Sequence, residues 1–133
     1  MPANAALLAA RVLLAALFIL AGYVTLGDIA GSAGYFAHLR FPAPELVAWV
    51  VGFFELIAGV LVLIGFQTRI AAVLFALFCV SAGIIGHYGQ GGEDPMLAFM
   101  HSQAMMKDIA IAGGFLALAV AGPGAWSLDA RFR

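Results

Sequence analysis

The chain has 133 residues, of which 65% are hydrophobic and only 10% charged, with a mean hydropathy of +1.08. Soluble domains carry about 25% charged residues, so a chain this short and apolar cannot cover a water-facing surface and reads as an integral membrane protein of one domain, residues 1–133. A formal net charge of −1 leaves no basic stripe for nucleic acid, and the single cysteine, Cys79, excludes both an intramolecular disulfide and a CxxC relay.

In chain order, the first apolar run, residues 5–27, is broken only by Arg11. No positively charged n-region precedes it, and it is too long for a signal-peptide h-region, so it is expected to stay as a membrane anchor. Residues 28–45 form a connector. Its stretch 35–41 mixes aromatic and basic side chains before Pro42 and Pro44, which predicts a short interfacial helix stopped by proline. The second span is predicted at 46–66, with Glu55 as its one charge. Gln67-Thr68-Arg69 is short enough to make the second and third spans antiparallel neighbours. The third span is predicted at 70–88, residues 89–95 as a flexible turn, and the fourth span at about 104–122. Pro123-Gly124 ends that helix, and Trp126 suits the headgroup region. The fold class is therefore an all-α membrane protein, an antiparallel four-transmembrane-helix bundle with an interfacial helix between helices 1 and 2. Arg11, Arg69, Arg131 and Arg133 fall on the side of the termini, against Arg40 and Lys107 on the other, so the positive-inside rule places both termini in the cytoplasm.

A carboxylate at Glu55 is expensive whether the surroundings are lipid or an apolar core. Each span carries small residues at helical spacing: Ala15 and Gly22; Gly52 and Gly59; Ala72, Ala76, Gly83 and Gly86; Ala110, Gly114, Ala117 and Ala121. Small residues allow close helix approach, so these stripes are expected to face inward, and Arg11, Glu55 and Lys107 fall on them. The expectation is an ionised Glu55 paired with Arg11, Lys107 or both. Three readings of these groups stand side by side: a structural clamp, a polar lining for a ligand such as a quinone head group, and a proton relay. His38, His87, His101, Gln103, Asp28, Lys107 and Asp108 gather toward the other face. Their spacing matches no metal-ligand motif, and no metal site is assigned. His87, at a helix end beside Tyr88, is the best single histidine for a site. Cys79 reads as a small packing residue. The candidates for lining a polar intramembrane site are thus Arg11, Glu55, Lys107, His87 and Asp108, with no residue assigned to catalysis.

The order of several short motifs resembles the DoxX/DoxD family. They are Arg11-Val12-Leu13-Leu14-Ala15 leading to Phe18 and Gly22, then Glu55-Leu56-Ile57-Ala58-Gly59, then residues 63–69, Lys107-Asp108, and the closing Gly122-Pro123-Gly124-Ala125-Trp126-Ser127-Leu128-Asp129. The resemblance implies a small four-helix protein of the bacterial inner membrane. Some members of that family are subunits of a thiosulfate:quinone oxidoreductase, and others are membrane partners of redox or detoxification systems. The family often carries a lysine where this chain has Thr25. The resemblance therefore implies a redox-linked subunit meeting a quinone and a soluble oxidoreductase partner. Self-contained enzymatic activity is left open, because no flavin, haem or iron–sulfur pattern is present and no covalently bound cofactor is expected. The competing readings are a non-enzymatic membrane anchor or scaffold, and a small transporter or lipid-handling protein. The small-residue stripes also suit a homo-oligomer.

Overall fold

The structure is a computed structural model in which residues 2–132 are described. Five helices follow one another: α1 Ala3–Gly27, α2 Ile29–His38, α3 Pro44–Ile64, α4 Thr68–His87 and α5 Pro95–Ala121. All but α2 are long and apolar enough to cross a membrane.

The helix ends follow from local chemistry. Asp28 closes α1 and caps α2, its carboxylate accepting from Gly31 N at 2.9 Å. Between α2 and α3 the chain turns through left-handed Arg40 (φ 64°) and Ala43 (φ 51°), and Pro44 opens α3. The fourth span starts at Pro95 rather than near Ala104. Asp94 accepts from Met96 N and Leu97 N, with Pro95 at the first helical position, and this start signal carries the helix through the mixed sequence 95–106.

The bundle is built from two tight pairs, α1 on α3 and α4 on α5. Gly22 explains the first: a Cβ there would lie 2.6 Å from Leu56 N and 2.8 Å from Gly52 O, so the two backbones are in direct contact. The pairs meet through an aromatic layer. Phe75 stacks on Phe115 at 4.8 Å and lies 4.4 Å from Phe18, while Phe54 packs on both Phe75 and Phe78. The inward stripes expected on the first three spans are the buried ones, but the one on α5 is not. Ala110, Gly114 and Ala117 are exposed, and Ala112, Phe115 and Leu118 are buried. Large side chains of α5 pack against a small-residue face of α4, so the small residues of α5 are left facing outward.

The C-terminal segment folds back over the end where α3 turns into α4. Gly65 ends α3 with φ +71°, and a Cβ there would lie 3.0 Å from Arg11 Nη1. Leu128 N donates to Ile64 O at 3.1 Å and Asp129 N to Gly65 O at 2.8 Å. The Asp129 carboxylate accepts from Gln67 N (2.8 Å) and Thr68 N (3.0 Å), serving as the N-cap that α4 does not find in its own sequence. Asp129→Ala is expected to cost about 1 kcal/mol, a fall in Tm of roughly 4 °C, read by thermal unfolding in detergent.

Candidate ligand site

Arg11 is 2% exposed, and its two Nη atoms donate to backbone carbonyls, while its buried Nε has no hydrogen-bond partner. Nη1 donates to Pro123 O (2.8 Å) and Trp126 O (2.9 Å), and Nη2 to Leu63 O (2.9 Å). The expected Arg11–Glu55 pair is not formed. Leu63 lies eight residues beyond Glu55 on α3, roughly 12 Å along the axis. The long side chain snorkels toward the nearer end of the bundle, where carbonyls and the Asp129 charge await it. Lys107 does not pair with Glu55 either. It is exposed on the outer face of α5, and its neighbour Asp108, turned by one helical step, is the one that points inward.

Glu55 is 8% exposed. The Thr25 hydroxyl donates to its carboxyl group, and Oε2 is buried with no hydrogen-bond partner.

Glu55 and Thr25 face a cavity of about 720 Å³ at the α2 end of the bundle. Leu17, Phe18, Val24, Val51, Phe78 and Ile85 form much of its apolar wall, and α2 forms its roof. Asp28, Ser32, Tyr35 and Asp108 add polar groups around the rim. The Tyr35 ring reaches from α2 across to α4, where a Cβ on Gly86 would lie 2.8 Å from its hydroxyl. Gly86 thus leaves the space that the phenol occupies. Burial, reinforced by the negative charge of Asp108, pushes the Tyr35 pKa up, so this hydroxyl stays a hydrogen-bond donor across the physiological range.

His87 stands at the edge of this site. Its Nε2 lies 3.7 Å from Asp108 Oδ2, and its Nδ1 lies 2.9 Å from His101 Nδ1. Of the five site candidates read from the sequence, Glu55 and Asp108 line the cavity, His87 borders it through Asp108, Arg11 serves the opposite end, and Lys107 faces outward. His38 is exposed on α2. Tyr35 and Ser32 were not among the candidates, and the aromatic–basic stretch that hid Tyr35 is also the signal that could have found it.

The DoxX family model matches residues 6–88. Inner membrane protein YphA of Escherichia coli (strain K12) is 37% identical over 130 residues, covering 94% of this chain and 89% of its own length. Inner membrane protein YqjF of the same organism is 34% identical over 124 residues, covering 92% and 88%. A more distant relative, named "Putative oxidoreductase CatD", from Bacillus subtilis (strain 168), is 36% identical over 72 residues, covering 54% of this chain and 52% of its own. No solved structure matches the chain.

Proposed function

The chain belongs to the DoxX family of membrane proteins, and from that premise we propose that it is a redox-linked inner-membrane subunit that holds a quinone in the cavity beneath α2 and meets a soluble oxidoreductase partner at the membrane surface. The observation that carries this reading is the composition of the cavity: about 720 Å³ of mostly apolar wall with a few polar groups placed around one end. Ligand sites for small molecules have this character. A quinone matches it part for part, with an isoprenoid tail for the apolar wall and two carbonyl oxygens that need donors.

The residues fit that ligand. Tyr35 offers a hydroxyl donor, the Thr25 hydroxyl is engaged with Glu55, and Glu55 Oε2 is buried without a partner. An unsatisfied buried polar atom costs free energy, and a ligand group meeting it would recover that cost. The quinone supplies reversible two-electron, two-proton chemistry. The chain binds and orients the head group, keeps bulk water out with the aromatic layer below, and carries carboxyl groups that can exchange protons. The name of the relative from Bacillus subtilis, which calls it an oxidoreductase, is consistent with this reading. With both termini in the cytoplasm, the cavity lies in the outer half of the membrane.

Native mass spectrometry of protein extracted gently from its own membrane tests the reading. A retained quinone is expected, and Tyr35→Phe should lower its occupancy about 5-fold, as loss of one hydrogen bond implies. The same spectrum counts subunits and any co-purifying chain. Retention of lipid alone would overturn the quinone reading in favour of a lipid-handling protein, which would use the same cavity without redox chemistry.

A further inference from the structure

The pair of histidines beside the cavity has an arrangement that packing does not require. His87, in the last turn of α4, and His101, in α5, face each other through their Nδ1 atoms at 2.9 Å. The other nitrogen of His87, Nε2, points to Asp108 Oδ2 at 3.7 Å. Asp108 in turn lines the cavity that also contains Glu55. Both rings are only partly buried, and His101 lies in the part of α5 that extends beyond the predicted span.

We propose that His101, His87 and Asp108 form a proton path from the α2 end of the bundle into the cavity, so that this chain supplies the protons consumed when the cavity's ligand is reduced. The path deepens the quinone reading and rests on it. Its geometry is that of a relay. An imidazole passes a proton on by accepting at one nitrogen and releasing from the other, and His87 uses opposite ring atoms for its two partners. The Nδ1–Nδ1 separation fits one shared proton in an N–H···N bond. Two Zn–N bonds of about 2.1 Å at a tetrahedral angle would hold the nitrogens about 3.4 Å apart, so a shared proton describes this pair better than a metal. The step from His87 to Asp108 is longer than a direct hydrogen bond, and one side-chain rotation or one bridging water closes it.

The groups around the path come from α2, α4 and α5. His87 faces His101 and Asp108 from α5. Asp108 faces His87 from α4 and Tyr35 from α2, with Cys79 and Glu55 farther along the same cavity wall. Reduction of a quinone to a quinol takes two electrons, here from the reduced soluble donor, and two protons, here from water through His101. Two O–H bonds form on the quinone oxygens, its two C=O bonds become C–O single bonds, and each donating water is left as hydroxide.

Two measurements on the full chain decide the matter. In lipid nanodiscs with ¹⁵N-labelled histidine, a scalar coupling between the two Nδ1 nuclei is expected, and its absence in the folded protein overturns the path without reference to any ligand. In a lipid film on an electrode that supplies the electrons, with decylubiquinone as the probe, His101→Phe and His87→Gln should each slow reduction of the bound quinone about 10-fold or more and leave decylubiquinone affinity unchanged. Imidazole added to the buffer should restore the rate of His101→Phe, which a merely structural role would not allow. Normal binding with unchanged rates in both variants overturns the path and leaves the quinone reading standing. Failure of the wild type to bind decylubiquinone overturns the quinone reading, and the path is then decided by the coupling alone.

Discussion

Arg11→Met is expected to destabilise the bundle by about 3 kcal/mol or more, a fall in Tm on the order of 10 °C. The substitution keeps most of the length and apolar stem of the side chain but removes the donors that serve Pro123 O, Trp126 O and Leu63 O. The buried Pro123 O left without a partner costs about 1–3 kcal/mol, the part-buried Trp126 O and Leu63 O cost less, and three losses on one side chain add incompletely. The damage should be local at first. The tail over residues 122–132 loses its anchor, and with it goes the Asp129 cap on α4. Hydrogen exchange should accordingly rise first at Gln67 N, Thr68 N, Leu128 N and Asp129 N, ahead of the aromatic layer. Ligand binding at the far end should survive wherever the protein remains folded. If Arg11→Met instead abolished binding at unchanged Tm, Arg11 would belong to the site and the tail contacts would be incidental.

Which partners Arg11 takes could not have been read from the sequence, and the reason is physical. Composition and hydropathy announce the spans, because lipid penalises every uncompensated polar group over about 20 residues. The stripes Arg11–Ala15–Phe18–Gly22–Thr25, Gly52–Glu55–Gly59 and Ala72–Ala76–Cys79–Gly83–Gly86 announce the inward faces, and all of these residues are buried except Thr25, which is half-buried. The partners of Arg11, however, are backbone carbonyls, which every residue possesses and no sequence pattern marks. Two of them lie more than 100 positions away, in the tail. Charge complementarity suggested Glu55, but the guanidinium had a shorter way out of the apolar interior. On α5 the small-residue stripe misled, because close packing needs a small face on only one of two helices. Once α4 provides it, α5 fills the gap with Phe115 and Leu118, and the helix turns Lys107 outward and Asp108 inward. The cavity was half legible: Glu55 stood out as a charge in an apolar run, and His87 and Asp108 as polar groups near helix ends, whereas Tyr35 joins them only because α2 folds over the end of the bundle.

The second large effect is expected at Glu55, with opposite signs for folding and for binding. Glu55→Leu removes a buried carboxyl group whose Oε2 has no partner and fills the space with a side chain of similar volume. Replacing a poorly satisfied buried polar group in this way is commonly neutral or stabilising by about 1 kcal/mol or more, so Tm should hold or rise. Decylubiquinone affinity should fall about 5-fold or more, the equivalent of one neutral hydrogen bond of about 1 kcal/mol donated by the carboxylic acid form to a quinone oxygen. Glu55→Gln keeps the shape and a donor, so it should retain most of the affinity but slow reduction of the bound quinone, because an amide does not exchange a proton as a carboxyl group does. Opposed changes of stability and function are the mark of a residue held at a cost for its chemistry. The two measurements therefore separate the readings of Glu55. A clamp predicts that Glu55→Leu lowers Tm and affinity together, and a scaffold predicts that it changes neither. Only a ligand-lining carboxyl group predicts a protein that is at least as stable and binds its quinone worse.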